Sequence, residues 1–225
     1  MRARVALAVL AGSAACLAGS AAIVGSGSRA ERHASVSEEL LYFPSGRFLR
    51  QAALGHETLV ADLAWLRAIQ YYGEHRKTDR RYPRLQHIFD VVTTLDPQFV
   101  NAYAFGGLVL AQDAGEVDAG LALIEKGMTQ NPESWLLPFE AGFLYYVTVK
   151  DLKRASQCFA RAARRPGCPD YVARFAAHTT AEAGYTVIAI RLWREIARTT
   201  ENAEIRRMAE RKIEELEKEG GNAGA

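Results

Sequence analysis

Residues 93–112, TTLDPQFVNAYAFGGLVLAQ, align without a gap on residues 128–147, MTQNPESWLLPFEAGFLYYV. The alignment pairs Thr94 with Thr129, Pro97 with Pro132, Tyr103 with Pro138, and Gly107 with Gly142. Pro97 and Pro132 are 35 positions apart, and the turn at Pro166 and Pro169 follows Pro132 at nearly the same distance. A period of about 34 residues is typical of repeated helix–turn–helix units. The chain is therefore expected to repeat one helical hairpin.

The pattern on either side of this stretch is also helical. From residue 46 onward, apolar residues recur at spacings of three and four, and no segment alternates like a half-buried strand. Proline- and glycine-containing turns separate the segments. The pattern predicts an all-α domain over residues 46–219 and a disordered tail at 220–225. The expected helices lie near residues 46–74, 82–95, 99–113, 116–130, 134–148, 151–164, 170–183, 186–199 and 202–219.

Residues 82–199 resemble tetratricopeptide repeats, in which small residues allow two helices to approach and aromatic residues fill the seam. One unit carries Tyr103, Gly107, Leu110, Ala119, Leu123 and Pro132, and the next carries Gly142, Tyr145, Ala155, Phe159 and Pro166. A third unit carries Phe175, Ala189 and Trp193, with Thr179 where glycine is expected, and residues 57–97 suit a degenerate leading unit. The resemblance implies an α-solenoid of about three to four repeats, closed by a capping helix at 202–219.

The resemblance also implies where a partner would bind. In this family, ligands lie in a concave groove lined by the first helix of each pair. In this chain that groove would be lined by Asn101, Ala104, Leu108, Gln112, Leu136, Phe139, Phe143, Tyr146, Ala176, Thr180 and Ala183. These side chains are mostly apolar and include no Lys/Arg cluster that would clamp a carboxylate. They suit an amphipathic helix or an extended apolar peptide. Coverage of the groove by the chain's own N-terminal helix is the alternative.

The N-terminal segment predicts attachment to a membrane. Residues 5–28 contain no charged side chain and follow Arg2 and Arg4. As a helix they would span about 36 Å, enough to cross a bilayer core. An uncleaved signal-anchor places the domain on the extracytoplasmic side of the inner membrane, as in short membrane-anchored bacterial proteins of this family. A cleaved secretory signal, which would give a secreted or periplasmic protein, and a lipoprotein signal at Cys16 are the alternatives. Residues 29–45 are expected to be a polar linker.

The helix expected at 47–73 is apolar on nearly all sides. Leu59, Leu63 and Leu66 lie on one side, and Trp65 and Tyr71 lie on another. A helix of this kind is buried or pairs with a partner. Asp62 lies in the same run and, if buried, is expected to pair with Arg67 or Arg50. The loop expected at 74–84 carries three net positive charges and is read either as solvated or as a contact for an acidic partner or lipid headgroups.

Composition and motifs disfavour several classes of function. Lys and Arg total 28 against 26 Asp and Glu, which does not suit nucleic-acid binding. The three cysteines and five histidines show no metal-ligand spacing, although Cys158 and Cys168 could form a disulfide. No catalytic motif occurs, and His56, Glu57 and Asp62 are the one weak cluster of titratable groups.

The expected function is a non-catalytic protein-binding scaffold that helps assemble or stabilise an envelope complex, without a cofactor, a metal or a small-molecule substrate. Two alternatives stand beside it. The first is a structural subunit of a membrane complex with a self-filled groove, in contact with its partners through the 47–73 helix. The second is an uncharacterised enzyme.

Overall fold

A computed structural model describes residues 45–222 of the chain. Within that range every regular element is helical, so the prediction of an all-α domain is confirmed. The predicted membrane segment at 5–28, the linker as far as residue 44, and residues 223–225 lie outside the described residues.

Ten α-helices and one π-helical turn make up the described part of the chain. They are α1 (Gly46–Ala52), α2 (Glu57–Lys77), α3 (Leu85–Leu95), α4 (Val100–Gln112), α5 (Val117–Gln130), α6 (Leu136–Leu144), the π-turn (Tyr145–Val149), α7 (Leu152–Ala163), α8 (Asp170–Glu182), α9 (Thr186–Thr199) and α10 (Ala203–Asn222). Helix α10 continues past its predicted end at residue 219.

The first predicted helix, at 46–74, is in fact two helices. Leu54 and Gly55 adopt φ values of +49° and +90°, and this left-handed backbone ends α1. Because glycine reaches such values without steric cost, Gly55 is the sequence signal for this break. Helix α2 starts two residues later and extends to Lys77, so its last turn occupies the start of the predicted 74–84 loop.

From α2 onward, the main packing partners of each helix are its neighbours along the chain, whereas α1 packs mainly against α3. The strongest pairings join α2 to α3, α4 to α5, α6 to α7, α7 to α8, α8 to α9, and α9 to α10. Contacts between α4 and α6 connect one helical pair to the next. Since most contacts are local in sequence, the hydrophobic core is extended by adding helices in order.

The closest approach between α4 and α5 occurs at two glycines. A Cβ atom on Gly107 would lie 2.4 Å from Ile124 Cγ1, and one on Gly120 would lie 2.4 Å from the Gly107 carbonyl oxygen. The sequence alignment expected Ala119 and Leu123 at these facing positions. The structure places Gly120 and Ile124 there instead, because the second helices keep the same 35-residue offset as the first.

The next helical pair repeats this contact. A Cβ atom on Gly142 would meet the Phe159 ring at 2.9 Å. In the third pair, Ala177 occupies the small-residue position and lies in one buried cluster with Trp193. Thr179, which the sequence pattern placed at the small-residue position, is also buried, and its hydroxyl donates to the Phe175 carbonyl at 2.7 Å within α8.

A buried asparagine connects two successive proline-containing turns. The Asn131 side-chain amide donates to the Pro97 carbonyl at 2.9 Å and to the Gly127 carbonyl at 3.2 Å. Its 8% exposure means that the carbonyl of the preceding turn gains a partner shielded from water. This bond fixes the spacing of the two proline turns that the sequence repeat predicted.

The last helix covers the end of the core, as expected of a cap. Ala209 and Leu216 on α10 are buried against α9, with Ile205, Met208 and Ile213 packed around them. The remaining side chains of α10 are largely exposed and charged. One apolar face is therefore docked and the other is solvated.

Candidate protein-binding surfaces

The predicted groove residues divide into exposed, half-buried and buried groups. Asn101 and Gln112 on α4 are exposed. Half-buried positions are Leu108 on α4, Leu136, Phe139 and Phe143 on α6, Tyr146 in the π-turn, and Ala183 after α8. Ala104, Ala176 and Thr180 are buried. The Thr180 hydroxyl donates to the Ala176 carbonyl at 2.6 Å, so it is already satisfied within its own helix.

The register of the repeat explains why Thr180 lies inside. Moving Phe143 and Val147 forward by the 35-residue offset leads to His178 and Glu182, which are both exposed on α8. His178 Nε2 lies 3.5 Å from Glu182 Oε1. Interaction of the Tyr146 hydroxyl with the Glu182 carboxylate raises the pKa of Tyr146. The π-turn therefore lies close to the last turn of α8.

Phe139 lies at the centre of an aromatic cluster. Its ring centroid is 5.3 Å from that of Phe159, 5.7 Å from Tyr171, 5.6 Å from Phe175 and 6.1 Å from Trp135. Phe159 is fully buried, whereas Tyr171 and Phe175 are 38% and 40% exposed. The cluster therefore begins in the core and emerges at the surface. Sequence reasoning missed Tyr171, although it stands at the 35-residue offset from Leu136.

We call this surface the α6–α8 face. It is defined by Leu136, Phe143, Tyr146, Val147, Tyr171 and Phe175. Phe143 and Tyr146 pack against the buried cluster that contains Phe159, and Val147 is 39% exposed. Partly exposed rings supported from below by core aromatics are held rigidly, which lowers the entropy that they lose when a partner binds.

Glu140 adds a titratable group on α6 that the sequence did not single out. Its carboxyl is half-buried, and burial raises its pKa from 4.5 to about 7. The charged form is disfavoured because water is displaced without a compensating positive charge. The only sequence signal for a buried carboxyl is its position one residue after Phe139. A single glutamate in an apolar helix is easily interpreted as exposed to solvent.

This pKa predicts how stability depends on pH. Between about pH 4.5 and about pH 7, Glu140 is protonated in the folded chain and ionised in the unfolded chain. The free energy of unfolding therefore falls as the pH rises through this range, and it levels off above it. Glu140→Gln should remove that fall. We expect the difference in free energy of unfolding, variant minus wild type, to be about 1–3 kcal/mol larger at about pH 8 than at about pH 4.5. Urea unfolding of both proteins at a series of pH values measures this difference.

The matched control is Glu125→Gln, at an exposed position on α5. It should track the wild-type curve across the whole pH range. Parallel curves for Glu140→Gln and wild type would show that the Glu140 carboxyl is not desolvated in the folded chain.

A second surface lies on α2. Leu59, Leu63 and Leu66 are 59%, 56% and 57% exposed, and they follow one another at spacings of four and three residues. The opposite side of the helix is in the core, where the Trp65 ring lies 5.2 Å from Phe99 and 5.6 Å from Phe105. We call the three leucines the α2 stripe.

Most charged groups near the α2 stripe are exposed. Asp62 is exposed, so no buried partner is required for it. Arg50 donates to the Thr94 carbonyl. His56 and Asp62, from the weak titratable cluster, are both exposed near the start of α2, and Glu57 is half-buried.

The remaining candidates from the sequence can be placed briefly. Cys158 and Cys168 are both free thiols, so they do not form the disulfide that their spacing allowed. Among the residues that the structure describes, no three His, Cys, Asp or Glu side chains are grouped so that they could hold a metal ion. No helix in the same range is both long and apolar enough to cross a bilayer. In the basic 74–84 segment, a hydrogen bond from His75 lowers the pKa of Asp79.

A scan against models of protein families matches none of them to this chain, and a search of curated proteins finds no matching relative. The function must therefore be argued from the two surfaces themselves.

Proposed function

We propose that this chain is a non-catalytic scaffold of the tetratricopeptide type that binds another protein on its α6–α8 face. The observation that carries the proposal is the aromatic cluster around Phe139. It places Tyr171 and Phe175 at the surface, with more than a third of each side chain in water. Aromatic residues on a rigid base are the commonest anchors of protein interfaces.

The recurrence of one contact supports an α-solenoid. Gly107 faces Ile124 and Gly142 faces Phe159, each at the same offset, and Ala177 lies with Trp193 in the third pair. Helical pairs that bury their apolar faces only against their neighbours form linear arrays, and such arrays commonly use the first helix of each pair to bind ligands.

The chemistry of the face fits an amphipathic helix or an extended apolar peptide. Leu136, Phe143 and Val147 provide apolar contacts, and Asn101 and Gln112 on α4 are exposed amides that can bond to a peptide backbone. The exposed Glu182 carboxylate lies near Tyr146 and would favour a basic or donor group at that end of the peptide.

The place of action in this proposal is a membrane. Residues 5–28 would anchor the chain, with the helical domain on the extracytoplasmic side, where it would assist the assembly or stability of an envelope complex. The exposed α2 stripe favours a second role as a structural subunit, because three exposed leucines on one helix are an apolar surface that contact with another chain would remove from water.

Site-specific photocrosslinking in the native membrane tests the proposal. A photoreactive residue at Phe143 or Val147 should capture one and the same protein, whereas the exposed outer position Gln157 on α7 should capture none of it. Val147→Asp should reduce capture from Phe143 by about tenfold or more, since a charge would be buried without a partner.

Val147 is 39% exposed, so Val147→Asp should leave the helical fold intact, and circular dichroism checks this. Equal capture of the same protein from Gln157 and Val147, or unchanged capture by a folded Val147→Asp variant, would reject the α6–α8 face as the binding surface.

A further inference from the structure

The α2 stripe follows the repeat of a two-stranded coiled coil. In a heptad with apolar residues at positions a and d, Leu59 occupies d, Leu63 occupies a, Leu66 occupies d and Gln70 occupies the next a position. All four side chains are exposed on the same helix. A surface helix that needs only to cover its own core would expose polar residues here.

We propose that the α2 stripe is a dimer seam, occupied by the α2 helix of a second copy of this chain in parallel orientation. The charged residues beside the stripe favour a second copy of the chain as the partner. Asp62 falls at position g and Arg67 at position e, and both are exposed. In a parallel pair, position g of one helix faces position e of the other helix five residues further along. Asp62 of each copy therefore faces Arg67 of the other, which gives two opposite-charge contacts by symmetry.

The antiparallel arrangement lacks this complementarity. It pairs g with g and e with e, so Asp62 would face Ile69 or its own counterpart, and Arg67 would face Val60 or its own counterpart. Neither charge gains an opposite charge from the second copy. Charge pairing thus distinguishes the two orientations of the same leucine stripe.

Gln70 provides a second reason for the parallel register. A polar side chain at one a position specifies the register and the number of strands, because two such groups can hydrogen-bond only when the helices are aligned. In the parallel dimer, Gln70 of one copy meets Gln70 of the other.

The size of the seam predicts a weak dimer in solution. One helix with three leucines and one glutamine contributes less than the roughly 800 Å² per partner of a standard interface. Confinement of both copies to one membrane raises their effective concentration. We therefore expect the dimer to form at membrane density or at high protein concentration.

Cysteine crosslinking of the full chain in its native membrane tests the orientation. In a background with Cys16→Ser, Cys158→Ala and Cys168→Ser, the substitutions Leu59→Cys, Leu63→Cys, Leu66→Cys and Gln70→Cys are made singly. Each should give a disulfide-linked dimer under mild oxidation, because in parallel helices every a and d position meets its own counterpart. Gln157→Cys, exposed on α7, should give none.

Dimer dissociation measured by sedimentation in mild detergent tests the energetics. Leu63→Glu should weaken the dimer at least about tenfold, because two carboxylates would face each other in the seam. Asp62→Arg and Arg67→Asp should each weaken it about three- to tenfold, and the double variant should recover to within about twofold of wild type. All of these positions are exposed, so each variant should fold like wild type. Thermal unfolding checks that the fold is retained.

Several outcomes would overturn the proposal. Crosslinking at none of the four positions would exclude the parallel seam, because an antiparallel pair sets position a against position d and no residue then meets its own counterpart. A photoreactive residue at Leu63 that captures lipid, another protein or the chain's own residues 1–44 would identify a different occupant. Unchanged dissociation by Leu63→Glu would place any dimer contact elsewhere.

Discussion

Gly120→Ala should destabilise the chain, although the same substitution elsewhere in a helix is favourable. The new Cβ would lie 2.4 Å from the Gly107 carbonyl oxygen and 3.0 Å from the Ala111 backbone nitrogen. Backbone atoms cannot rotate away as a side chain can, so α4 and α5 must separate. We expect a loss of about 1–3 kcal/mol in the free energy of unfolding, after the gain in helix propensity is included.

Gly73→Ala is the matched control because it makes the same chemical change inside α2. A Cβ atom at Gly73 would have no neighbouring atom within 4 Å. This variant should gain about 0.5–1 kcal/mol, because alanine restricts the unfolded chain more than glycine does. Urea unfolding followed by circular dichroism compares the two. A Gly120→Ala variant as stable as Gly73→Ala would mean that α4 and α5 do not approach at these glycines.

Phe159→Ala should have the largest effect on stability of any single truncation near the α6–α8 face. The ring has no exposed surface and lies 5.3 Å from Phe139 and 5.5 Å from Phe175, centroid to centroid. Its removal leaves a cavity beneath the exposed aromatic residues. We expect a loss of about 3–5 kcal/mol in the free energy of unfolding.

Phe48→Ala provides the comparison, since it removes the same ring from a side chain that is 58% exposed. Its cost should be about 1 kcal/mol or less. If the two phenylalanine variants unfold at the same denaturant concentration, Phe159 is not the buried ring that supports the aromatic cluster.

The helices of this chain could be predicted from the sequence because their apolar residues recur at helical spacing and most of their ends carry strong signals. The helix expected at 186–199 is found at Thr186–Thr199, and most others differ by one to three residues at an end. The 46–74 helix failed because its apolar periodicity continues across Gly55, and the left-handed backbone there was not inferred.

The candidate site was harder to derive than the fold. Most of the first-helix positions on α4 and α6 follow from one alignment, although the offset from Gln112 leads to Val147 and not to Tyr146. On α8 the offset was lost, because it leads to His178 and Glu182 and not to Thr180. Which side of α2 is buried could not be settled from composition, since both sides are apolar. Packing of Trp65 against Phe89, Phe99 and Phe105 decides it and leaves the leucines outside.

Hydrogen–deuterium exchange with and without the protein captured from Phe143 tests the central claim most directly. The account predicts slower exchange over residues 136–147 and 171–182 when that protein is bound, with no change in α5 or α7. Protection confined to α5 and α7, or to α2 alone, would contradict a binding role for the α6–α8 face.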